Sequence, residues 1–140
     1  MEYSPRHFQQ AAGLVCYYNA SKFHYLFVSC GEQNQRFVQV MSALPDQPQS
    51  DAFTAPIPIP EGRLLLRVDV DHANLCFAFR VIGHHDDWQE VPGLFDASIL
   101  SDEASPPGLP NFTGAFVGMA CQDVAGTGQP ADFDWFEYCE

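Results

Sequence analysis

The stretch that decides the fold is residues 12–29, AGLVCYYNASKFHYLFVS. Two apolar segments, residues 12–18 and 23–29, stand on either side of a short polar turn sequence at residues 19–22. Both segments are short and rich in aromatic and aliphatic side chains, which suits strands better than helices. Two such segments joined by a short turn predict a β-hairpin.

The same pattern continues along the chain. Residues 36–41, RFVQVM, alternate apolar and polar side chains as in a half-buried strand. Residues 63–70 and 75–81, RLLLRVDV and LCFAFRV, predict a second hairpin. Residues 88–91 form a further short segment, and residues 95–100 are expected to hold one helical turn.

Two proline-rich stretches divide these segments from the C-terminal part. Residues 42–60 and 101–111 are expected to be loop or edge, because proline lacks the amide donor that a strand needs. The second loop leads into residues 112–121, FTGAFVGMAC, which we interpret as a buried strand. Residues 131–138, ADFDWFEY, are then the last strand.

About eight short strands separated by turns, without an internal repeat, predict an all-β protein. We expect an antiparallel β-sandwich of two sheets, of the jelly-roll type rather than a barrel. The 140 residues fit a single domain, residues 1–140, which can bury about two-thirds of the surface of its unfolded chain. A hydrophobic content of 46% excludes a disordered chain.

Charge and cysteine usage restrict the function further. A net charge of −12 argues against nucleic acid as a partner, because nothing could neutralise a row of phosphates. The five cysteines are odd in number and contain no CxxC, and we expect Cys16, Cys76 and Cys121 to act as small apolar side chains. With neither a leader nor a membrane span in the sequence, the expected location is the reducing cytoplasm.

The acidic residues do not single out a catalytic pair. Glycoside hydrolysis needs two carboxylates facing each other across a cleft. Those of VDVDH and DFDWFE occupy alternating positions, so we expect them to face solvent. GxSxG is absent from the sequence, so nucleophilic catalysis has no support either. The candidates by residue type alone are Asp69, Asp71, Asp86, Asp87, Asp132, Asp134 and Glu137.

Metal binding is equally weakly indicated. Residues 84–87, HHDD, collect nitrogen and oxygen ligands in one turn, but adjacent residues rarely converge on one ion. We therefore expect no metal and no cofactor. The alternative is a structural Ca²⁺ held by Asp132 and Asp134 together with loop carbonyls.

Aromatic side chains make carbohydrate binding more plausible, because sugar rings stack on exposed aromatic faces. The candidates for sugar stacking are Trp88 and Trp135. The alternative is that most such rings are core residues or cross-strand pairs. The tyrosines that could extend an aromatic platform are Tyr17, Tyr18, Tyr25 and Tyr138.

Several segments, in order, resemble the C-terminal domain of family 43 glycoside hydrolases, the β-xylosidase and α-arabinofuranosidase group. They cover nearly the whole chain, and together they are specific. The segments are QQAAGLVCYYNASKFHYLFVS, RLLLRVDV, LCFAFRV with DDWQEV, FDASILSDE, FTGAFVGMACQD and ADFDWFEY.

The resemblance implies a concanavalin A-like jelly-roll β-sandwich that accompanies a separate catalytic β-propeller. It implies packing on that propeller, homo-oligomerisation, and a loop whose aromatic side chain closes the pocket for xylo- or arabino-oligosaccharides. The position that matches this side chain is Phe112. Within the following strand, we expect Gly114 and Gly118 to let neighbouring backbone or rings approach closely.

Three functions remain open at this point. The first is an accessory, non-catalytic domain of a family 43 enzyme, which leaves an apolar patch bare on the isolated chain. The second is an independent carbohydrate-binding module for xylan-type oligosaccharides, with an exposed Trp88 or Trp135. The third is a structural oligomerisation domain, which is compatible with the first.

Overall fold

The computed structural model describes residues 1–45, 52–104 and 114–140. Ten strands in this part of the chain form two antiparallel sheets. The strands are β1 Gln10–Asn19, β2 Lys22–Cys30, β3 Arg36–Ala43, β4 Ala52–Phe53, β5 Ile57–Pro58, β6 Leu64–Asp71, β7 Asn74–Val81, β8 Gln89–Glu90, β9 Phe95–Asp96 and β10 Phe116–Asp123.

The larger sheet has six strands in the order β10-β1-β2-β3-β4, with β5 also pairing with β3. Its centre is the hairpin of β1 and β2, where Cys16 faces His24 and Ala12 faces Val28. Strand β10 pairs with β1 on the other side, so the hairpin connects the two halves of the sheet. The first predicted hairpin is therefore confirmed.

The smaller sheet has four strands and contains the second predicted hairpin. Strands β6 and β7 pair from Leu64–Val81 to Asp71–Asn74, while β8 and β9 both pair with β7. The hairpin turns at His72, which has a left-handed φ of 57°. Histidine enters this region more readily than most residues other than glycine.

The two sheets stack on a common hydrophobic core. Alternation along each strand sends every second side chain inward, and these inward side chains form the core between the sheets. The prediction of an all-β sandwich of two antiparallel sheets is confirmed. The main core residues are Ala12, Cys16, Leu26, Val28, Val38 and Val40 from the larger sheet, and Leu64, Leu75, Phe77, Phe79 and Val81 from the smaller one.

The N-terminal and C-terminal segments meet beside β6. The Met1 ammonium donates to the Leu64 carbonyl at 2.7 Å, and Glu2 pairs with Asp132 in an isolated β-bridge. Arg63 forms ion pairs with Glu2 and with Asp134. Both ends of the described chain are thus attached to the start of the smaller sheet.

The C-terminal part departs from the prediction in two ways. Residues 131–138 do not form a last strand, since their backbone pairing is limited to the bridge at Asp132. Strand β10 does form, but it is not buried: Phe116 is 61% and Met119 47% exposed. Within the described part of the chain β10 pairs only with β1, and its side chains lack a covering neighbour on the open side.

Two cysteine predictions fail for related reasons. Cys121 lies on the edge strand β10, and Cys76 lies on the outward-facing side of β7 between the buried residues Leu75 and Phe77. Both thiols are exposed. Cys16 is buried in the core as predicted, and burial raises its pKa to about 12.

Across the described ranges, no helix has the length and apolar character needed to cross a membrane. The helical turn expected within residues 95–100 is present as the 3₁₀ turn Ala97–Ile99.

Candidate docking surface

The outer face of the larger sheet carries a group of apolar side chains near the turn of the β1–β2 hairpin. Tyr17 lies directly opposite Phe116 of β10 and opposite Phe23 of β2. On β3, Met41 lies two residues before Ala43, which is the partner of Phe23, and it lies opposite Phe53 of β4. We call these five residues the aromatic face; it extends over all five strands in the main order of the sheet.

The aromatic face is largely accessible to solvent. Phe116 is 61%, Phe53 53% and Tyr17 39% exposed, while Phe23 and Met41 are half-buried. The rings of Tyr17 and Phe23 stack with centroids 6.3 Å apart. The five side chains carry no charge, although the chain has a net charge of −12. Contiguous exposed apolar side chains of this kind mark interaction surfaces.

Around Tyr25 and Phe27 on the same outer face, the aromatic side chains are buried by their neighbours. Tyr25 and Phe27 are almost fully buried, with ring centroids 5.4 Å apart. Phe37 packs edge-on against Phe27, and the Tyr25 hydroxyl donates to the Ala120 carbonyl at 3.2 Å. Burial raises the pKa of Tyr25. Within the described strands of this sheet, the end nearer the hairpin turn therefore presents more open aromatic surface than the part around Tyr25 and Phe27.

Gly13 is a residue that sequence reasoning missed. It is buried in β1, and a Cβ atom there would lie 1.9 Å from the Leu26 carbonyl oxygen and 2.8 Å from the Phe27 Cα. The absent side chain lets β1 and β2 approach closely. By contrast, a Cβ at Gly114 or Gly118 meets nothing within 4 Å, so the expected close approach at these two glycines is wrong.

Trp88 lies on the outer side of the smaller sheet and is half-buried. The Arg67 guanidinium carbon is 4.7 Å from the centroid of its ring, and that of Arg80 is 5.7 Å away. Arg67 also has its Nε 2.8 Å from a carboxylate oxygen of Asp69. Trp88 is thus part of a cation–π cluster.

Trp135 lies in the C-terminal segment and is 63% exposed, next to the exposed Phe136 and Tyr138. In the described structure, no ring contact joins Trp135 to Trp88. Phe112 lies outside the described residues. The assignments of Trp88 and Trp135 to sugar stacking, and of Phe112 to pocket closure, stay predictions.

The acidic candidates do not gather into a cleft in the described part of the chain. Asp69 and Asp71 face solvent as predicted, and Asp71 contacts the neighbouring His72. Among described residues, no group of three or more histidine, cysteine, aspartate or glutamate side chains is arranged to hold a metal ion. Asp134 is instead ion-paired with Arg63, and the calcium alternative stays a prediction.

His24 is a second residue that sequence reasoning missed. Its ring is 1% exposed and lies between the sheets, where Nδ1 is 2.7 Å from the Ser42 hydroxyl and Nε2 is 3.0 Å from the Asp96 carbonyl. Burial lowers the pKa of His24. The imidazole joins β2 and β3 to the last residue of β9.

The two stacked antiparallel sheets are those of a concanavalin A-like β-sandwich domain. Residues 1–139 match the family of the β-xylosidase C-terminal concanavalin A-like domain, and the chain belongs to this family. The resemblance read from the sequence is thereby confirmed.

Relatives and solved structures agree with this assignment. The chain is 42% identical over 140 residues to a putative beta-xylosidase of Escherichia coli (strain K12) and 34% identical over 143 residues to a beta-xylosidase of Bacillus subtilis (strain 168). A crystal structure of xylan beta-1,4-xylosidase from Bacillus halodurans C-125 superposes with a TM-score of 0.81 at 32% identity, covering 91% of this chain.

The match covers nearly all of this chain but only part of each relative. The match covers 99% of this chain but 26% of the Escherichia coli protein, and 24% of the Bacillus halodurans chain. The chain thus spans about a quarter of the length of the relatives it matches and corresponds to the C-terminal part of family 43 β-xylosidases.

Proposed function

We propose that this chain is an accessory, non-catalytic domain of a family 43 β-xylosidase or α-arabinofuranosidase. It packs on the catalytic part of the enzyme through the aromatic face, shapes the mouth of the active site and supports oligomerisation. The carrying observation is the accessible aromatic face on a domain that matches only a quarter of its relatives' length. The catalytic acids of the enzyme belong to the other part.

The size of the aromatic face is sufficient for a stabilising contact. Burying a large apolar side chain contributes about 1.5–3 kcal/mol when it is initially exposed. Phe116, Phe53 and Tyr17 start between 39% and 61% exposed, so together they contribute a few kcal/mol on docking. A carboxylate placed among them would lose its water without gaining a partner, which is costly.

A chimeric enzyme tests the proposal. The quarter of the Escherichia coli relative that matches this chain is replaced by this chain, and thermal stability and hydrolysis of an aryl xyloside are measured. We expect an active chimera, whereas Phe116→Glu and Tyr17→Glu each lower its unfolding temperature or activity. The isolated chain is expected to show no turnover.

Two exposed apolar residues outside the aromatic face serve as matched controls. Phe8 and Val124 are 70% and 68% exposed, so Phe8→Glu and Val124→Glu introduce the same charge at positions at least as open as Phe116 and Tyr17. Docking through the aromatic face predicts little effect of either change. Equal losses from the control and test variants, or turnover by the isolated chain, would contradict the proposal.

Self-association is the part of the proposal that concerns oligomers. Sedimentation velocity of the isolated chain measures whether two copies cover each other's aromatic face. A dimer that Phe116→Glu dissociates supports assembly through this surface. If the chain is a monomer at all concentrations, the isolated domain does not drive oligomerisation. Docking on the catalytic part is then tested by the chimera alone.

Carbohydrate binding is the second candidate, and the exposure of Trp135 favours it. Calorimetry with xylo-oligosaccharides at millimolar concentration tests it, with Trp135→Ala and Trp88→Ala as variants. Since two guanidinium groups contact the Trp88 ring, we expect any binding to depend more strongly on Trp135. Absence of heat with the unchanged chain would eliminate this candidate.

A further inference from the structure

Lys22 is the single lysine of the chain, and its side chain is buried at the end of the β1–β2 hairpin. Its Nζ donates to the Ser101 carbonyl at 2.6 Å and lies 3.9 Å from the centroid of the Tyr18 ring. A buried ammonium needs such compensation, because removing the charge from water is expensive. The contact with Ser101 joins parts of the chain 79 residues apart.

Tyr18 makes a second connection to the same segment. It is 2% exposed, and its hydroxyl donates to the Asp102 carboxylate. His24, two residues along β2 from Lys22, contacts the Asp96 carbonyl. Three inward-facing side chains of one hairpin therefore contact the segment from Asp96 to Asp102, whose first residue also pairs with Asn74 of β7.

Residues 96–101 also form hydrogen bonds with one another. The Asp96 carboxylate accepts from the Ser98 amide at 2.8 Å and caps the 3₁₀ turn Ala97–Ile99. The Ser101 hydroxyl donates to the Ser98 carbonyl at 2.8 Å. The turn is placed on the smaller sheet by the Ala97 amide, which donates to the Ala73 carbonyl at 2.9 Å, and by Ile99, which is buried. Residues 101 and 102, in contrast, contact Lys22 and Tyr18 of the larger sheet.

The same hairpin end also holds the chain on the far side of residues 105–113. Phe116, at the start of β10, lies opposite Tyr17. Tyr17 faces outward and belongs to the aromatic face, while Tyr18 faces inward and contacts Asp102. The described flanks of residues 105–113 thus attach to adjacent residues of a single strand.

We propose that Lys22 is a positioning residue: with Tyr18 it fixes residues 101 and 102 on the β1–β2 hairpin, just beyond the part of the segment that the smaller sheet holds, and so sets where the described chain leaves the sandwich before β10. These contacts lie within the domain itself, so the proposal does not depend on docking to another part of an enzyme.

Hydrogen exchange tests the anchor in the full chain. Lys22→Met removes the ammonium but keeps an unbranched side chain of similar length. Losing a hydrogen bond from a charged donor is expected to raise amide exchange in residues 97–104 about tenfold or more. Peptides from β6 and β7 should exchange as before. Unchanged exchange at residues 97–104, or a uniform rise over all peptides, would overturn the proposal.

Arg36 provides the matched control, as the buried cation at the opposite end of β2 and β3. It is 3% exposed, and its Nη1 donates to Glu61 at 3.0 Å and to the Gly62 carbonyl at 3.3 Å. Arg36→Met should raise exchange in residues 60–64 and leave residues 97–104 unchanged. A rise at residues 97–104 as large as that in Lys22→Met would count against a specific role of Lys22.

Two measurements keep the test valid if Lys22→Met does not fold. Tyr18→Phe removes only the hydroxyl that contacts Asp102, and a rise of several-fold in exchange at residues 101–104 is expected. Acetylation of the unchanged chain should modify Lys22 much more slowly than a free lysine, because its side chain is buried. Modification of Lys22 at the rate of a free lysine, or unaltered exchange in Tyr18→Phe, would refute the anchor.

Discussion

Gly13 gives the sharpest test of how the central hairpin is built. An alanine Cβ at this position would lie 1.9 Å from the Leu26 carbonyl oxygen, whereas ordinary van der Waals contact begins at 3.4 Å. The obstructing atoms belong to the backbone of β2, which cannot rotate away as a flexible side chain can. Gly13→Ala must therefore separate β1 from β2 at the centre of the larger sheet.

The cost can be worked out from known contributions. Forcing an extra methyl group into a packed interior costs about 1–3 kcal/mol, and each ladder hydrogen bond that is lost adds about 1 kcal/mol. Reduced freedom of the unfolded chain returns only about 0.4–1 kcal/mol. We expect the free energy of unfolding to fall by about 3 kcal/mol, which lowers the unfolding temperature by roughly 10 °C.

Urea unfolding followed by tryptophan fluorescence and by circular dichroism measures the change. Gly118→Ala is the matched control, because Gly118 lies on the adjacent strand β10 and a Cβ there meets nothing within 4 Å. We expect the control to unfold within about 1 kcal/mol of the unchanged chain. A Gly13→Ala variant as stable as the control would refute the account of the hairpin.

Three further predictions concern ionisable groups. Burial lowers the pKa of His24, so below pH 6.5 the unfolded chain takes up a proton that the folded chain does not. The free energy of unfolding should therefore fall as the pH falls below 6.5. In urea unfolding, His24→Gln should make this pH dependence weaker. Hydrogen bonds, first from the Gln129 backbone amide, lower the pKa of Asp123 to about 2, and a carboxyl titration by NMR should measure this pKa. The stability that these bonds contribute should be lost as the pH falls from 3.8 towards 2. Ellman's reagent should modify three thiols in the native chain and spare Cys16 and Cys30. The three exposed thiols are Cys76, Cys121 and Cys139.

The sequence predicts the centre of the fold well because periodicity and turn composition act locally. The segments at residues 12–18, 23–29 and 36–41 lie within strands, and the hairpin of residues 63–81 has its turn at the expected residues. Alternation also places Asp69 and Asp71 in solvent. A strand with one polar and one apolar face leaves little freedom about which side turns inward.

The candidate surface could not be predicted in the same way. Its residues come from five strands, and their adjacency depends on register between strands that are far apart in sequence, as with Tyr17 and Phe116. Gly13 and His24 have no sequence signal either, since their roles follow from the backbone of β2 and from the Asp96 carbonyl. Lys22 is normally a surface residue type, so its burial is visible only in the structure.

The two errors in the C-terminal part have a common physical cause. Residues 112–121 were predicted to be a buried strand and residues 131–138 the last strand, because both segments are apolar and aromatic. Yet Phe116, Trp135 and Tyr138 are each more than 60% exposed in the described structure. Single exposed apolar residues are common, but a predicted interior strand that is exposed on one side of a sheet needs a covering surface. Apolar composition predicts that a segment tends to be buried, but it does not identify the surface that buries it. Under the proposed function, the catalytic part of a family 43 enzyme would cover the exposed side of β10, which coincides with the aromatic face.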